Sequence, residues 1–164
     1  MTDTKSTLAH INALTSEGIA LLDNLYQLLE KELLALKARD IDLIIELNQQ
    51  KQSVLVAFDQ NNRSRAETLL NAQASVDKAG IEFLLEQSDD LRFNQLFREN
   101  WNSLEITLQK TMNANQRNEQ VLTRSRQSLE QFINVLRGQK PTNTLYNAKG
   151  TKGDYSGQSR IGKA

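Results

Sequence analysis

The chain has 164 residues, with 20 basic and 20 acidic side chains and no cysteine. That length admits one modest domain and a tail, and the missing thiols exclude disulfides, thiolate catalysis and cysteine-ligated metals. With 38% apolar and 5% aromatic residues, the composition suits an elongated all-α bundle better than a compact α/β core.

The first predicted helix covers Thr4–Ala38. Leu8, Ile11, Thr15, Gly18, Leu22, Leu25, Leu29, Glu32 and Leu36 recur at alternating three- and four-residue steps, and Leu14, Leu21, Leu28 and Ala35 widen the seam into a bundle face. At 1.5 Å per residue such a helix is roughly 50 Å long. Asp40 suits the N-cap of a second helix, and so short a connection makes the pair an antiparallel hairpin. Ile41, Ile44, Ile45, Asn48, Leu55 and Phe58 are expected near one face of it. Ser64 with Glu67 reads as a capping box, so the second helix either breaks near Asn61 and restarts through Leu69 and Leu70 or runs on. Continuation is the reading adopted.

Residues 75–87, with Ile81, Phe83, Leu84 and Leu85, form a short third helix in this reading. Ser88, Asp89 and Asp90 supply a serine cap and two carboxylates for the positive end of a fourth helix. That helix reaches Arg137, with Phe97, Trp101, Leu104, Leu108, Thr111, Asn115, Asn118, Leu122, Ser125, Leu129, Phe132 and Leu136 in heptad register. Thr111, Asn115 and Asn118 make its middle polar, and buried asparagines fix register at a cost in stability. The expected architecture is an elongated antiparallel helical bundle, or coiled coil, of three long helices and one short helix over residues 1–137. A flexible Gly/Lys-rich partner-binding tail follows over residues 138–164.

The tail is set apart by Pro141 and five of the seven glycines. Its five cations and single Asp154 give 5 − 1 = +4, so the body carries 0 − 4 = −4. Four excess charges without a stacking platform do not make a nucleic-acid site. No run of about 20 apolar residues exists to span a membrane, and no apolar stretch follows the first charges as in a secretory signal. A soluble, cytoplasmic protein is expected, not an integral membrane protein.

Reactive groups do not converge. His10 is the single histidine and reads as a solvated surface residue, because no lysine accompanies it as in a phosphotransfer helix. No catalytic, cofactor or metal residues are assigned, no cofactor is expected, and the chain is read as no enzyme. Asp89 and Asp90 match the helix dipole, and Trp101 has the spacing of a core anchor. The functional candidates are Leu129, Phe132, Ile133 and Leu136 at the end of the last helix, joined by Leu145, Tyr146, Tyr155 and Ile161 in the tail. They read as a partner-binding surface with a helix-in-groove mode. Ordering backbone costs about 1–2 kcal/mol per residue, and a buried apolar side chain returns roughly 1.5–3 kcal/mol. Only short pieces of the tail would therefore order on a partner.

The segment Arg39-Asp40-Ile41-Asp42-Leu43-Ile44-Ile45-Glu46-Leu47-Asn48-Gln49-Gln50-Lys51, the pair Asn115 and Asn118, and the tail Leu145-Tyr146-Asn147-Ala148-Lys149-Gly150 together resemble the FlgN family of flagellar export chaperones. The resemblance covers nearly the whole chain. It implies a cytoplasmic chaperone that binds the C-terminal helices of hook–filament junction proteins (FlgK-like and FlgL-like). Such a chaperone prevents premature assembly and delivers its cargo to the export gate of the flagellar type III apparatus. It also implies that the distal last helix and Tyr146 carry these contacts, with Tyr155 competing for the gate role. The alternative is a self-assembling coiled-coil structural subunit.

Overall fold

The computed structural model describes residues 4–137. Regular structure among them is helical: α1 (Thr4–Ala38), α2 (Ile41–Asn71), α3 (Lys78–Glu86) and α4 (Leu91–Leu136). The chain divides into two compact units, Met1–Leu122 and Thr123–Ala164. α4 contributes to both.

In the first unit α1 and α2 form the expected hairpin. The turn is made by Arg39 in the left-handed region at φ 57°, with the Asp40 amide donating to the Ala35 carbonyl at 3.0 Å. α2 ends the same way, with Gln73 at φ 58° and the Ala74 amide reaching the Leu69 carbonyl at 3.0 Å. In both places a six-to-one bond closes the last turn. Asp40 caps α2 by accepting from the Leu43 amide at 3.1 Å. α2 runs unbroken through Asn61 and Ser64. Inside the helix Ser64 offers its carbonyl to the Thr68 hydroxyl at 2.7 Å.

α4 runs alongside α1 in the same direction. Its Asn100 donates to the Asn12 carbonyl, Thr111 to the Leu22 carbonyl and Asn118 to the Leu29 carbonyl, so the positions climb together. Two helix starts lie slightly later than the sequence suggests. α3, expected from residue 75, begins at Lys78 behind its cap Asp77, which accepts from the Gly80 amide at 2.9 Å while the Ser75 hydroxyl donates to it at 2.6 Å. Asp90, not Ser88, accepts from the Phe93 amide at 3.0 Å. At the start of α4 a carboxylate two residues nearer the helix displaces the Ser88 hydroxyl as cap, because it makes the stronger, charge-assisted bond.

The apolar core is unevenly distributed. The largest cluster joins Leu8 and Ile11 of α1, Leu69 and Ala74 near the end of α2, Ile81, Leu84 and Leu85 of α3, and Phe97 of α4. Phe93 and Trp101 pack on it, and Trp101 stacks on Phe97 with ring centroids 6.4 Å apart. Elsewhere the clusters are small: Leu25 and Leu29 with Ala114, and Leu28 and Ala35 with Leu47.

The seam of α2 differs from the expected one. Its inward positions are Ile44, Leu47, Lys51, Val54, Phe58, Asn61, Arg65 and Leu69, while Ile41, Ile45, Asn48 and Leu55 are exposed. On α4, Thr111 and Asn118 are buried as expected, but Asn115, Leu108 and Leu122 are exposed and Ala114 takes the inner place. Several seam positions are polar: Lys51, Asn61 and Asn118 each bond a group on another helix, and apolar residues beside them turn outward.

Two glycines have close neighbours. A Cβ on Gly80 would stand 1.9 Å from the Ser75 carbonyl oxygen, a backbone atom. A Cβ on Gly18 would meet side-chain atoms, Asn61 Oδ1 at 2.9 Å and Leu104 Cδ1 at 3.2 Å. Alanine also gains about 1 kcal/mol of helix propensity over glycine. Gly80→Ala should therefore lose at least about 2 kcal/mol of stability, and Gly18→Ala less than about 1 kcal/mol. Urea unfolding followed by circular dichroism checks the order, and the reverse order would contradict this packing.

Candidate functional site

The described part of the second unit, residues 123–137, comprises the last turns of α4. Leu129, Phe132, Ile133 and Leu136 fall at three- and four-residue steps, so they share one side of the helix. They are 59%, 60%, 37% and 70% exposed, respectively. Val135 is exposed on a different flank. Nearby, Arg126 and Glu130 pair at 3.2 Å, a surface contact worth little. Phe132 is thus a surface side chain among the described residues. Covering each such side chain is worth roughly 1.5–3 kcal/mol. Leu145, Tyr146, Tyr155 and Ile161 lie outside the described residues.

His10 is exposed, beside Thr7, Thr68 and Asn71. Trp101 is half-buried on the large core cluster, and its indole nitrogen donates to Glu105 Oε1 at 3.1 Å. Among the described residues no three histidine or carboxylate side chains group as metal ligands would. No described helix is long and apolar enough to cross a membrane.

The sequence reading placed Glu32 and Asn118 on their seams but missed the α2 side of the polar layers of the first unit, Lys51, Asn61 and Arg65. Glu32 of α1 is buried and receives Lys51 of α2. Its other oxygen accepts from Asn118 Nδ2 of α4 at 2.8 Å, and the same amide nitrogen reaches the Leu29 carbonyl at 2.7 Å. One carboxylate thus ties three helices. A second layer holds Asn61, donating to the Leu14 carbonyl at 2.9 Å and to Glu17 at 3.2 Å. Next to it is buried Arg65, whose guanidinium lies 5.9 Å from the Phe58 and Trp101 rings. Burial pushes the Arg65 pKa below its ordinary value. The signal was available in part: Glu32 on an apolar seam calls for a cation at a seam position elsewhere, and Lys51 occupies one.

On the rim between α1 and α4 a groove is lined by Tyr26, Ile106, Lys110, Ala114 and Arg117. The Lys110 ammonium lies 3.8 Å from the Tyr26 ring centre, and Arg117 pairs with Glu30 at 3.0 Å. Arg117 holds the Glu30 carboxyl below the usual range. The hydrogen bond to Glu30, followed by desolvation, raises the Tyr26 phenol above its ordinary value.

The fold is an all-α bundle of three long helices and one short one. The model of the FlgN protein family matches residues 1–153, and the chain belongs to that family. This makes it a flagellar export chaperone in the general sense. The solved structure of a flagella synthesis protein FlgN from Pseudomonas aeruginosa is similar, at 26% identity and a TM-score of 0.61, covering 69% of this chain and 86% of that one. No curated protein sequence matches the chain.

Two outcomes follow. Lys51→Ala strands the buried Glu32 carboxylate and should cost about 3 kcal/mol, whereas Lys51→Met with Glu32→Leu should come within about 1 kcal/mol of the wild type. Chemical denaturation of the three proteins measures this. Because the folded Tyr26 pKa is raised, its stabilising contact is complete below the ordinary phenol pKa and is lost as pH rises through the folded value. A tyrosinate absorbance titration of the wild type minus that of Tyr26→Phe should therefore show a midpoint above 10.0.

Proposed function

We propose that this protein is a cytoplasmic export chaperone for hook–filament junction proteins of the FlgK-like and FlgL-like kinds. It binds their C-terminal helices, keeps them from assembling early, and delivers them to a component of the flagellar export gate. Membership of the FlgN family supports the general role. The observation that carries the specific reading is the apolar stripe Leu129, Phe132, Ile133 and Leu136, exposed on the end of α4.

A junction protein packs amphipathic helices against its neighbours in the filament. Before export those helices present apolar stripes that associate with one another. A helix offering its own apolar stripe covers such a surface by helix-to-helix packing, with anchors three and four residues apart. Release needs no chemistry on the chaperone, because the affinity of a modest apolar contact lies within reach of competition at the gate. In this reading Tyr146 and Tyr155, with Leu145 and Ile161, extend the contact from the tail, and one of the tyrosines meets the gate component.

Mixing the full chain with a purified junction protein should give a one-to-one complex on size exclusion with light scattering. Self-polymerisation of the chain alone, or no complex, would overturn the reading. Phe132→Ala should weaken binding by at least about 1 kcal/mol, about fivefold in Kd. Its unfolding midpoint should stay close to that of the wild type, because the ring is exposed. Calorimetric titration and thermal unfolding separate the two effects.

A further inference from the structure

α4 is held to the rest of the first unit in two different ways. Near its start, Phe97 is buried in the largest core cluster and Trp101 packs on it, while the Asn94 amide nitrogen bonds the Leu85 and Ser88 carbonyls at the end of α3. Further along, the buried α4 residues are Leu104, Thr111, Ala114 and Asn118. Beyond Leu104 the only apolar one is an alanine. Hydrogen bonds from Thr111 and Asn118 to α1 supply the remaining buried contact.

Between these regions α4 carries a ladder of hydroxyls that bond backward along the helix. Ser103 donates to the Glu99 carbonyl at 2.9 Å, Thr107 to Ser103 at 2.8 Å and Thr111 to Thr107 at 2.8 Å. Such back-bonding weakens helices slightly and bends them. The ladder sits where apolar anchoring gives way to polar docking.

We propose that α4 opens at this ladder, lifting residues 111–122 from α1 and α2, and that the groove so uncovered receives an amphipathic helix of the partner. The inference deepens the chaperone reading and rests on it.

The hairpin beneath is built to survive the opening. Glu32 keeps Lys51, which belongs to α2, so no buried charge is stranded. Glu30 and Arg117 are already half-exposed and pass to water. The Leu22 and Leu29 carbonyls lose only an added donor, since both lie within α1. The opening uncovers Leu25 and Leu29, which Ala114 covers in the closed form, and the one Glu32 oxygen that Asn118 meets there.

The partner's chemistry follows from the groove. α4 places Thr111 and Asn118 at depth, seven residues apart, against Leu22 and Leu29, also seven apart. A helix with an aliphatic side chain at the level of Thr111 and an amide donor one heptad on, for the Glu32 oxygen that Asn118 meets in the closed form, would bury apolar surface where α4 buries a hydroxyl and would leave no carboxylate oxygen unpaired. A junction-protein helix of that pattern outcompetes α4 for the groove, whereas a uniformly polar helix does not.

The chain has no cysteine, so an engineered tether acts alone. The full-length variant Leu25→Cys with Ala114→Cys, oxidised, holds α4 closed. Its Kd for a purified junction protein should rise at least about tenfold over that of the same variant reduced, because the binding-competent population is withdrawn. Equal affinity of the two forms overturns the inference while leaving the chaperone reading intact. No binding by the wild type overturns that reading and the inference with it. Thr111→Val, which leaves the Asn118 bond to Glu32 in place, provides a second variant free of the tether. It should melt higher and bind about tenfold more weakly, and a variant that melts higher yet binds as the wild type does would count against the opening.

Discussion

A carboxylate on an apolar seam sets the terms for much of this bundle. Glu32 is buried on α1, and an ionised group there is tolerated only when a cation and hydrogen bonds accompany it. Lys51 comes from α2 and Asn118 from α4. Because the three groups must converge, only one register of the three helices satisfies them. Any slip by a turn would leave a charge stranded. A seam of leucines would allow several nearly equivalent packings, so the polar layer supplies uniqueness while the apolar clusters supply adhesion.

Adhesion is concentrated at one end of α4. Phe93, Phe97 and Trp101 bind it to a core shared by α1, α2 and α3, and truncating an aromatic residue of this kind typically costs about 3–5 kcal/mol. The stretch through Thr111 and Asn118 is held mostly by hydrogen bonds, each worth roughly 0.5–1.5 kcal/mol net. One helix thus has a fixed anchor and a loosely held continuation. A carrier that must hold a helix and then surrender it benefits from such a gradient, since its own helix can occupy the partner's place between cycles.

Much of the fold was legible because its signals are local. The α1 seam, the hairpin made at Arg39 and Asp40, the uninterrupted second helix and the short third helix all follow from apolar spacing and capping chemistry. The α2 face was not legible. Ile41, Ile45 and Leu55 form the more apolar stripe and face solvent, while Lys51, Asn61 and Arg65 face inward. Periodicity weighs a side chain by its own polarity, whereas Lys51 meets Glu32, Asn61 meets the Leu14 carbonyl and Arg65 lies by the Trp101 ring, all on other helices, information that no single segment contains. For the same reason Asn118 was placed correctly and Asn115 was not: both fit the heptad, but Asn118 meets Glu32 and Asn115 bonds Glu119 on its own helix. At the candidate site, spacing identified an apolar stripe at the end of α4 but could not tell core from surface, because both give the same pattern. That distinction required the exposures of Leu129 and Phe132.

The uneven hold on α4 is tested most directly by native-state hydrogen exchange on the free, full-length chain. The account predicts that amides of residues 111–122 exchange through a low-energy opening, well before those of residues 94–101 and of α1 between Leu8 and Leu29. Equal protection along α4, with all its amides released only on global unfolding, would contradict it.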